Sequence, residues 1–223
     1  EEINAIDPDV RFYDIWRDAF DTGVQIDNSV SISGGNEKAT FYGSLGNLGH
    51  EGIMPFSDWN RTSARLNGQI KFSEKFTFSG NLNYTISGGN RVPHDRFMER
   101  MMYWAPNHDV TDYINPDGTM KTYGNTNPLY DARFSTFEDE VNRTIGNFKF
   151  TYSPFEWLDI NYLIGTDYYS ENRTEITPGP LGIDGEVPLS STGSISETSI
   201  ESRDINSNFF ITLTKDWTEK FGT

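Results

Sequence analysis

Asp109, Asp112, Asn115, Asp117 and Gly118 crowd one short stretch of the chain. Closely spaced carboxylate and amide oxygens are what Ca²⁺ coordinates, but the EF-hand pattern is incomplete and lacks its distal Glu. Asn115-Pro116-Asp117-Gly118 is also an ordinary turn sequence with Pro in second position, and the turn is the preferred reading. Glu138, Asp139 and Glu140 offer adjacent carboxylates of the kind glycoside hydrolysis uses in pairs, yet nothing around them supports that chemistry. His50, His94 and His108 lack a metal-site spacing, although folding can bring distant residues together. Without Cys the chain has no disulfide and no thiolate metal site. No P-loop, dinucleotide fingerprint or nucleophile elbow occurs. The expectation is no enzyme, no metal and no cofactor.

Aromatic residues offer binding rather than catalysis. Tyr103, Trp104, Tyr113, Tyr123 and Tyr130 are candidates for contact with a ligand or a lid, because sugar C–H groups pack well on aromatic faces. The competing reading packs them inside their own connection. Asp95 to Trp104 reads as a short helix, capped by Asp95, with Phe97, Met101 and Trp104 on one side.

The elements that position these residues are strands. From Arg61 to Phe72 one alternate set is Arg61, Ser63, Arg65, Asn67, Gln69 and Lys71, and the other is Thr62, Ala64, Leu66, Gly68, Ile70 and Phe72. Successive strand side chains point to opposite faces, so one face is polar and the other apolar or small. Residues 76–87 repeat the pattern, and 73–75 join the two as a tight hairpin. Val24 to Ser33, Ala39 to Leu48, Val141 to Tyr152, Leu158 to Tyr168 and Asp204 to Thr214 follow the same rule with varying regularity, and an eighth strand is expected to begin at Phe221. Several stretches run to about 11–13 residues. Strands of soluble sandwiches average about 5–6 residues, whereas a tilted strand crossing a bilayer needs about 9–11. Short connections (34–38, 73–75, 153–157, 215–220) alternate strictly with longer ones (49–58, 88–140, 171–202), as in membrane β-barrels. Aromatics gather beside the short turns: Phe72, Phe76, Tyr152, Phe155, Trp157, Trp217 and Phe221.

The chain has 223 residues, a net charge of −15, 14% aromatics and 20 Gly. Its acidity excludes a nucleic-acid partner, which needs a basic surface. The acidic excess lies almost wholly in residues 1–23 and the longer connections, a solvated rim in the plainer reading and a divalent-cation bridge to lipopolysaccharide in the sharper one. The fold class expected is all-β, a partial antiparallel transmembrane barrel. Its sections are rim loop 1–23, strands one to four over 24–87 with the shorter loop 49–58, long outer loop 88–140 with a short helix, hairpin 141–170, outer loop 171–202, and strand, turn and next strand start over 203–223. In a barrel Arg61, Arg65, Lys71, Arg143 and Lys149 point inward, facing a plug or lining a solute path. An open sheet cannot leave both edges bare in lipid, so the sequence reads as an internal slice of a larger barrel.

One stretch resembles a known family. Ser33-Gly34-Gly35, then Tyr42, Ser44, Leu45 and Gly46, then Glu51-Gly52-Ile53, then Arg61, Ser63, Arg65 and Asn67 follow in order the motifs of the SusC-like TonB-dependent outer-membrane transporters of Bacteroidetes. Asn115-Pro116-Asp117-Gly118 and Asn127-Pro128-Leu129 also look like that family. The resemblance implies a 22-stranded barrel with a plug, driven by the TonB complex. It further implies a cap formed by a SusD-like lipoprotein and import of oligosaccharides or oligopeptides through the bacterial outer membrane. Loop 88–140 is the expected contact with the cap. The alternatives are a passive porin-like channel, and a soluble glycan-binding β-sandwich that buries its apolar faces between two sheets.

Overall fold

The computed structural model describes residues 10–177 and 193–214. Seven strands form a single sheet in chain order, each antiparallel to the one before. They are β1 (Val24–Gly35), β2 (Ala39–Glu51), β3 (Asp58–Ser73), β4 (Phe76–Asn90), β5 (Thr136–Phe155), β6 (Leu158–Thr177) and β7 (Ser194–Leu213). The short α1 (Ile15–Asp18) precedes them, and α2 (His94–Tyr103) and α3 (Pro128–Phe134) lie between β4 and β5. Among the described residues no helix is long and apolar enough to cross a membrane. The expected strand at Phe221, the turn at 215–220 and the aromatics Trp217 and Phe221 lie outside the described residues.

Register fixes the two faces. Leu66 stands opposite Gly43 on one side and Leu82 on the other, and Ile70 opposite Ala39 and Phe78. Phe78 pairs in turn with Phe150, and Phe150 with Tyr162, which faces Phe209. Directly opposed residues share a face, so one apolar surface runs unbroken from β1 to β7. Nothing covers it among the described residues: Leu66 is 61% exposed, Ile70 42% and Leu82 39%. A water-soluble sandwich requires a second sheet over that face, and the seven strands supply only one. Rings lie against one another at the short-turn end, with Phe72 and Phe76 at 5.8 Å and Phe155 stacked on Trp157 at 5.3 Å.

The last three strands are longer than alternation indicates. β5, β6 and β7 have 20 residues each, about 66 Å at the usual strand rise, roughly twice a bilayer's hydrocarbon depth. Residues 136–140, 171–177 and 194–202, read as loop from the sequence, are strand. On the face that carries Phe148 and Phe150, β5 continues with Thr144, Asn142, Glu140 and Glu138. Both faces there are mainly polar, with only Phe137, Ile176, Ile195 and Ile200 interspersed. The backbone stays paired without an apolar stripe to announce it.

The buried core is not in the sheet. Ile15 and Ala19 from α1 and its cap, Val92, Phe97, Met101, Trp104 and Val110, and Leu129 and Ala132 of α3 pack together at one end of the strands. Phe20 meets Phe97 edge-on at 5.5 Å, and Met54, from the β2–β3 connection, packs on the same cluster. Tyr13 N–H donates to the Pro106 carbonyl at 2.8 Å and Asp21 N–H to the Ile53 carbonyl at 2.9 Å. Three connections separated in sequence are thereby one rim body. α2 lacks the expected cap: it starts after Pro93, with no side-chain cap bond, and Asp95 lies in its first turn beside His94 at 2.9 Å. Its buried side is as expected, with Phe97, Met101 and Trp104 inward.

Candidate functional site

Two surfaces carry the residues singled out from the sequence: the polar face of the sheet and the rim body. Arg61, Arg65 and Lys71 on β3, and Arg143 and Lys149 on β5, share the polar face, since Arg61 pairs with Ser87, Ser87 with Val141, and Ser79 with Lys149. Their partners differ. Arg143 holds Asp167 through two bonds, Nε at 3.0 Å and Nη2 at 2.7 Å. Lys149 lies over the Phe210 ring at 5.7 Å and Arg61 over Trp59 at 5.7 Å. Around Arg65 the face is lined by Tyr42, Asn67, Gln69, Asn83 and Asn147, and Asn81 donates to Asn147 at 2.9 Å. Such a wall can hydrogen-bond a hydrated or polar occupant and can attract negative charge.

The rim body is anchored to the sheet by Arg91, which grips the buried Asp139 of β5 at 3.0 and 2.5 Å. That bidentate bond accounts for the central carboxylate of the Glu138–Glu140 run: it ties a loop to a strand. Arg100 of α2 pairs with Asp131 of α3, and Ser135 donates to the same carboxylate at 2.7 Å.

The five aromatic candidates separate by burial. Trp104 and Tyr130 are each 4% exposed, so their faces are closed to an outside ligand. Trp104 Nε1 donates to the His108 carbonyl at 3.0 Å. Tyr130 donates to the Gly118 carbonyl at 3.1 Å and packs on Phe134 at 4.5 Å; burial raises its hydroxyl pKa above the ordinary value. Tyr113 is half-buried and accepts from Arg133 at 3.0 Å. Tyr103 and Tyr123 are exposed. Tyr123 stacks on His108 at 3.7 Å and meets Trp104 edge-on, while Asn125 donates to the Tyr103 carbonyl at 3.1 Å. The exposed rings thus flank one rigid support.

The acidic stretch is a turn. Gly118 N–H donates to the Asn115 carbonyl at 2.9 Å, Gly118 has a φ of 88°, and Ile114 bridges to Met120. Asp117 accepts from the Thr119 amide at 2.9 Å and from its hydroxyl at 2.6 Å, which lowers its pKa. Asp109 is used likewise by Thr111. Asp112 pairs with Lys121 and raises that lysine's pKa. No three His, Cys, Asp or Glu side chains converge among the described residues.

Asn127 is a central residue that the sequence reading left without a role. It is fully buried, its Oδ1 accepts from Leu129 and Tyr130 N–H at 2.9 and 3.3 Å, and its Nδ2 donates to the Val110 carbonyl at 3.1 Å. Asn followed by Pro is a helix-start signal, which makes α3 findable in retrospect. Asn127→Leu uncaps α3 and strands the Val110 carbonyl. The expected cost is about 2–4 kcal/mol, read as lost hydrogen-exchange protection across residues 91–135 with β1–β4 unaffected.

No family model matches the chain. It is 25% identical to the TonB-dependent receptor SusC of Bacteroides thetaiotaomicron, an alignment covering 72% of this chain and 19% of that protein. It is 24% identical to the TonB-dependent receptor P39 of Formosa agariphila, covering 70% and 15%. The chain is similar to the SusC-like TonB-dependent receptors. Two solved structures of the RagAB peptide importer, open-open and closed-closed, match the fold with a TM-score of 0.71 each at 18% and 17% identity. They cover 94% of this chain and 24% of theirs. The SusC-like sheet is therefore a section of barrel wall, and the chain spans less than a fifth of the curated relatives it matches.

Proposed function

We propose that this SusC-like segment forms wall and rim of a TonB-dependent importer in the bacterial outer membrane. Its solutes are oligosaccharides or oligopeptides, and it works with a SusD-like surface lipoprotein. The observation that carries the reading is the continuous apolar face left bare over seven paired strands, opposite a polar face. Only lipid on one side and an aqueous or plugged interior on the other suit both at once. The bare outer edges of β1 and β7 pair with further strands of the same barrel, since unpaired backbone is costly in hydrocarbon. Residues 10–23 and the connections from β2 to β3 and from β4 to β5 stand outside the cell, beside lipopolysaccharide. The rim body presents Tyr103 and Tyr123 to ligand or lid.

Support comes from import that stops when TonB is removed, by a full-length protein that fractionates with outer membranes and shifts on gels when heated. Conductance that persists without TonB or a plug identifies a passive channel instead. Tyr103→Ala with Tyr123→Ala is expected to weaken ligand or lid binding about tenfold by titration calorimetry, the yield of one or two exposed aromatic contacts. Unchanged affinity removes both residues from the contact.

A further inference from the structure

Among the described residues some cations are held by carboxylates of the chain and others are not. Arg91, Arg100, Lys121, Arg143 and Arg173 each pair with a carboxylate of the chain itself. Among the described residues Arg61, Arg65 and Lys71 do not, although 33 acidic residues outnumber 18 basic ones in the whole sequence. All three lie on the polar face of one strand. Their cross-strand neighbours are Leu48 and Ser87 for Arg61, Ser44 and Asn83 for Arg65, and Thr77 for Lys71. On that face β2 offers Thr40, Tyr42, Ser44, Gly46, Leu48 and His50, and β4 offers only Ser, Thr and Asn, so neither strand carries a carboxylate. Asp27 lies across Leu48 from Arg61, two strands away, about 10 Å at the usual strand spacing. Lys149, two strands from β3 on the other side, also lacks a carboxylate and rests over Phe210.

Spacing gives these charges a direction. Arg61 and Arg65 are about 13 Å apart along the strand, and Arg65 and Lys71 about 20 Å. Together they span about 33 Å, the hydrocarbon depth of a bilayer. Neutral amides and hydroxyls fill the intervals: Ser63, Asn67, Gln69, and beside them Asn81 and Asn83. Arg11, Arg17, Arg96, Arg133 and Arg203 also have no carboxylate partner among the described residues, but Arg61, Arg65 and Lys71 line one face of a strand whose two neighbours offer that face no carboxylate, so counter-charge for the row comes from outside these three strands. A single-sign row beside low-dielectric walls raises the local concentration of counter-charged solute.

We propose that Arg61, Arg65 and Lys71 form a cationic track that draws an anionic oligomer, one bearing carboxylates or sulfates, down the inside of the wall. The proposal rests on the importer reading above and adds the charge class of the solute. Steps of 13–20 Å suit a multivalent chain that exchanges one charge contact for the next. The occupant favoured is therefore a passing solute, and the competing occupant is an acidic segment of the protein that fills the barrel.

The test uses the full-length protein in outer membranes and four probes: oligogalacturonate, an uncharged maltooligosaccharide, a glutamate-rich decapeptide and an uncharged decapeptide. In R61Q/R65Q/K71Q, uptake of the acidic probe of whichever class is carried is expected to fall at least about tenfold relative to its neutral counterpart. The difference should shrink as salt rises. Lys75→Gln with Lys121→Gln, which removes cations elsewhere, leaves the ratio unchanged. An equal loss for acidic and neutral probes overturns the track and assigns these charges to a filling segment; an unchanged ratio overturns it as well. Arg65→Gln alone, with a smaller shift in the same ratio, decides the matter if the triple variant fails to assemble. Failure of the wild type to import any probe counts against the importer reading instead, and binding of the four probes to the purified protein then decides the track by the same ratio.

Discussion

Leu66→Arg is expected to destabilise the sheet by about 2–4 kcal/mol in a bilayer, whereas Asn67→Arg, one residue along, is expected to stay within about 0.5 kcal/mol. Leu66 sits near the middle of β3, between Gly43 and Leu82, on the apolar face. A guanidinium there meets hydrocarbon with no partner within reach, and the mid-strand position leaves little room for it to snorkel to either interface. Asn67 faces the other way, between Tyr42 and Asn81, where an added charge remains solvated. Urea titration of the folded, heat-modifiable band in lipid vesicles measures both. In detergent-free buffer the wild type separates the rival fold: a soluble sandwich, which buries Leu66 between two sheets, folds without lipid, whereas the wall does not. Equal costs for the two variants mean that lipid does not distinguish the faces, and the wall reading fails.

Much of this arrangement is legible in the residues, because a half-buried strand writes its environment into every second position. Arg61 to Phe72 and the hairpin after it specify β3, β4, their short turn and their faces without reference to the rest of the chain. The same rule fails for the outer halves of β5–β7. Without an apolar stripe on either face, Glu138, Glu197 and Ser199 obey no alternation, and only backbone pairing keeps them extended. The rim core is hidden for another reason. Ile15 and Leu129 are more than a hundred positions apart and lie on helices of 4 and 7 residues, too short for a helical period to emerge. Helical spacing separates Trp104, on the side of Phe97 and Met101, from Tyr103, but Tyr130 looks no different in sequence from Tyr123. Which of those two faces water depends on contacts between connections, and nothing local encodes it. The Asn127-Pro128 pair is intermediate: its helix-start chemistry is local, but the bond to the Val110 carbonyl is not.

Gly89→Ala is expected to cost at least about 3 kcal/mol, at the upper end of overpacking penalties. The reason lies in how β4 leaves the sheet. A Cβ on Gly89 would overlap the Asp58 carbonyl oxygen and lie 2.9 Å from the Trp59 Cα; one on Gly88 would overlap the Asp139 carbonyl oxygen and lie 3.0 Å from the Glu140 Cα. The two obstacles are backbone on opposite sides, β3 and β5, so neither a rotamer change nor a sideways shift of β4 relieves them. This squeeze also sets the rim in place. Asn90 follows at once, donating to the Phe56 carbonyl at 2.7 Å and accepting from Phe137 N–H at 3.2 Å, and Arg91 then reaches Asp139. Gly68→Ala is the matched control, since a Cβ there makes only ordinary contact with the Thr40 carbonyl at 3.4 Å. Hydrogen exchange should show Gly89→Ala releasing residues 88–91 and 136–140 together and loosening the rim body, with the β1–β2 ladder unchanged. If the alanine is accepted at a cost near that of Gly68→Ala, the close approach of the three strands is not a constraint, and Arg91 with Asp139 alone must hold the rim to the wall.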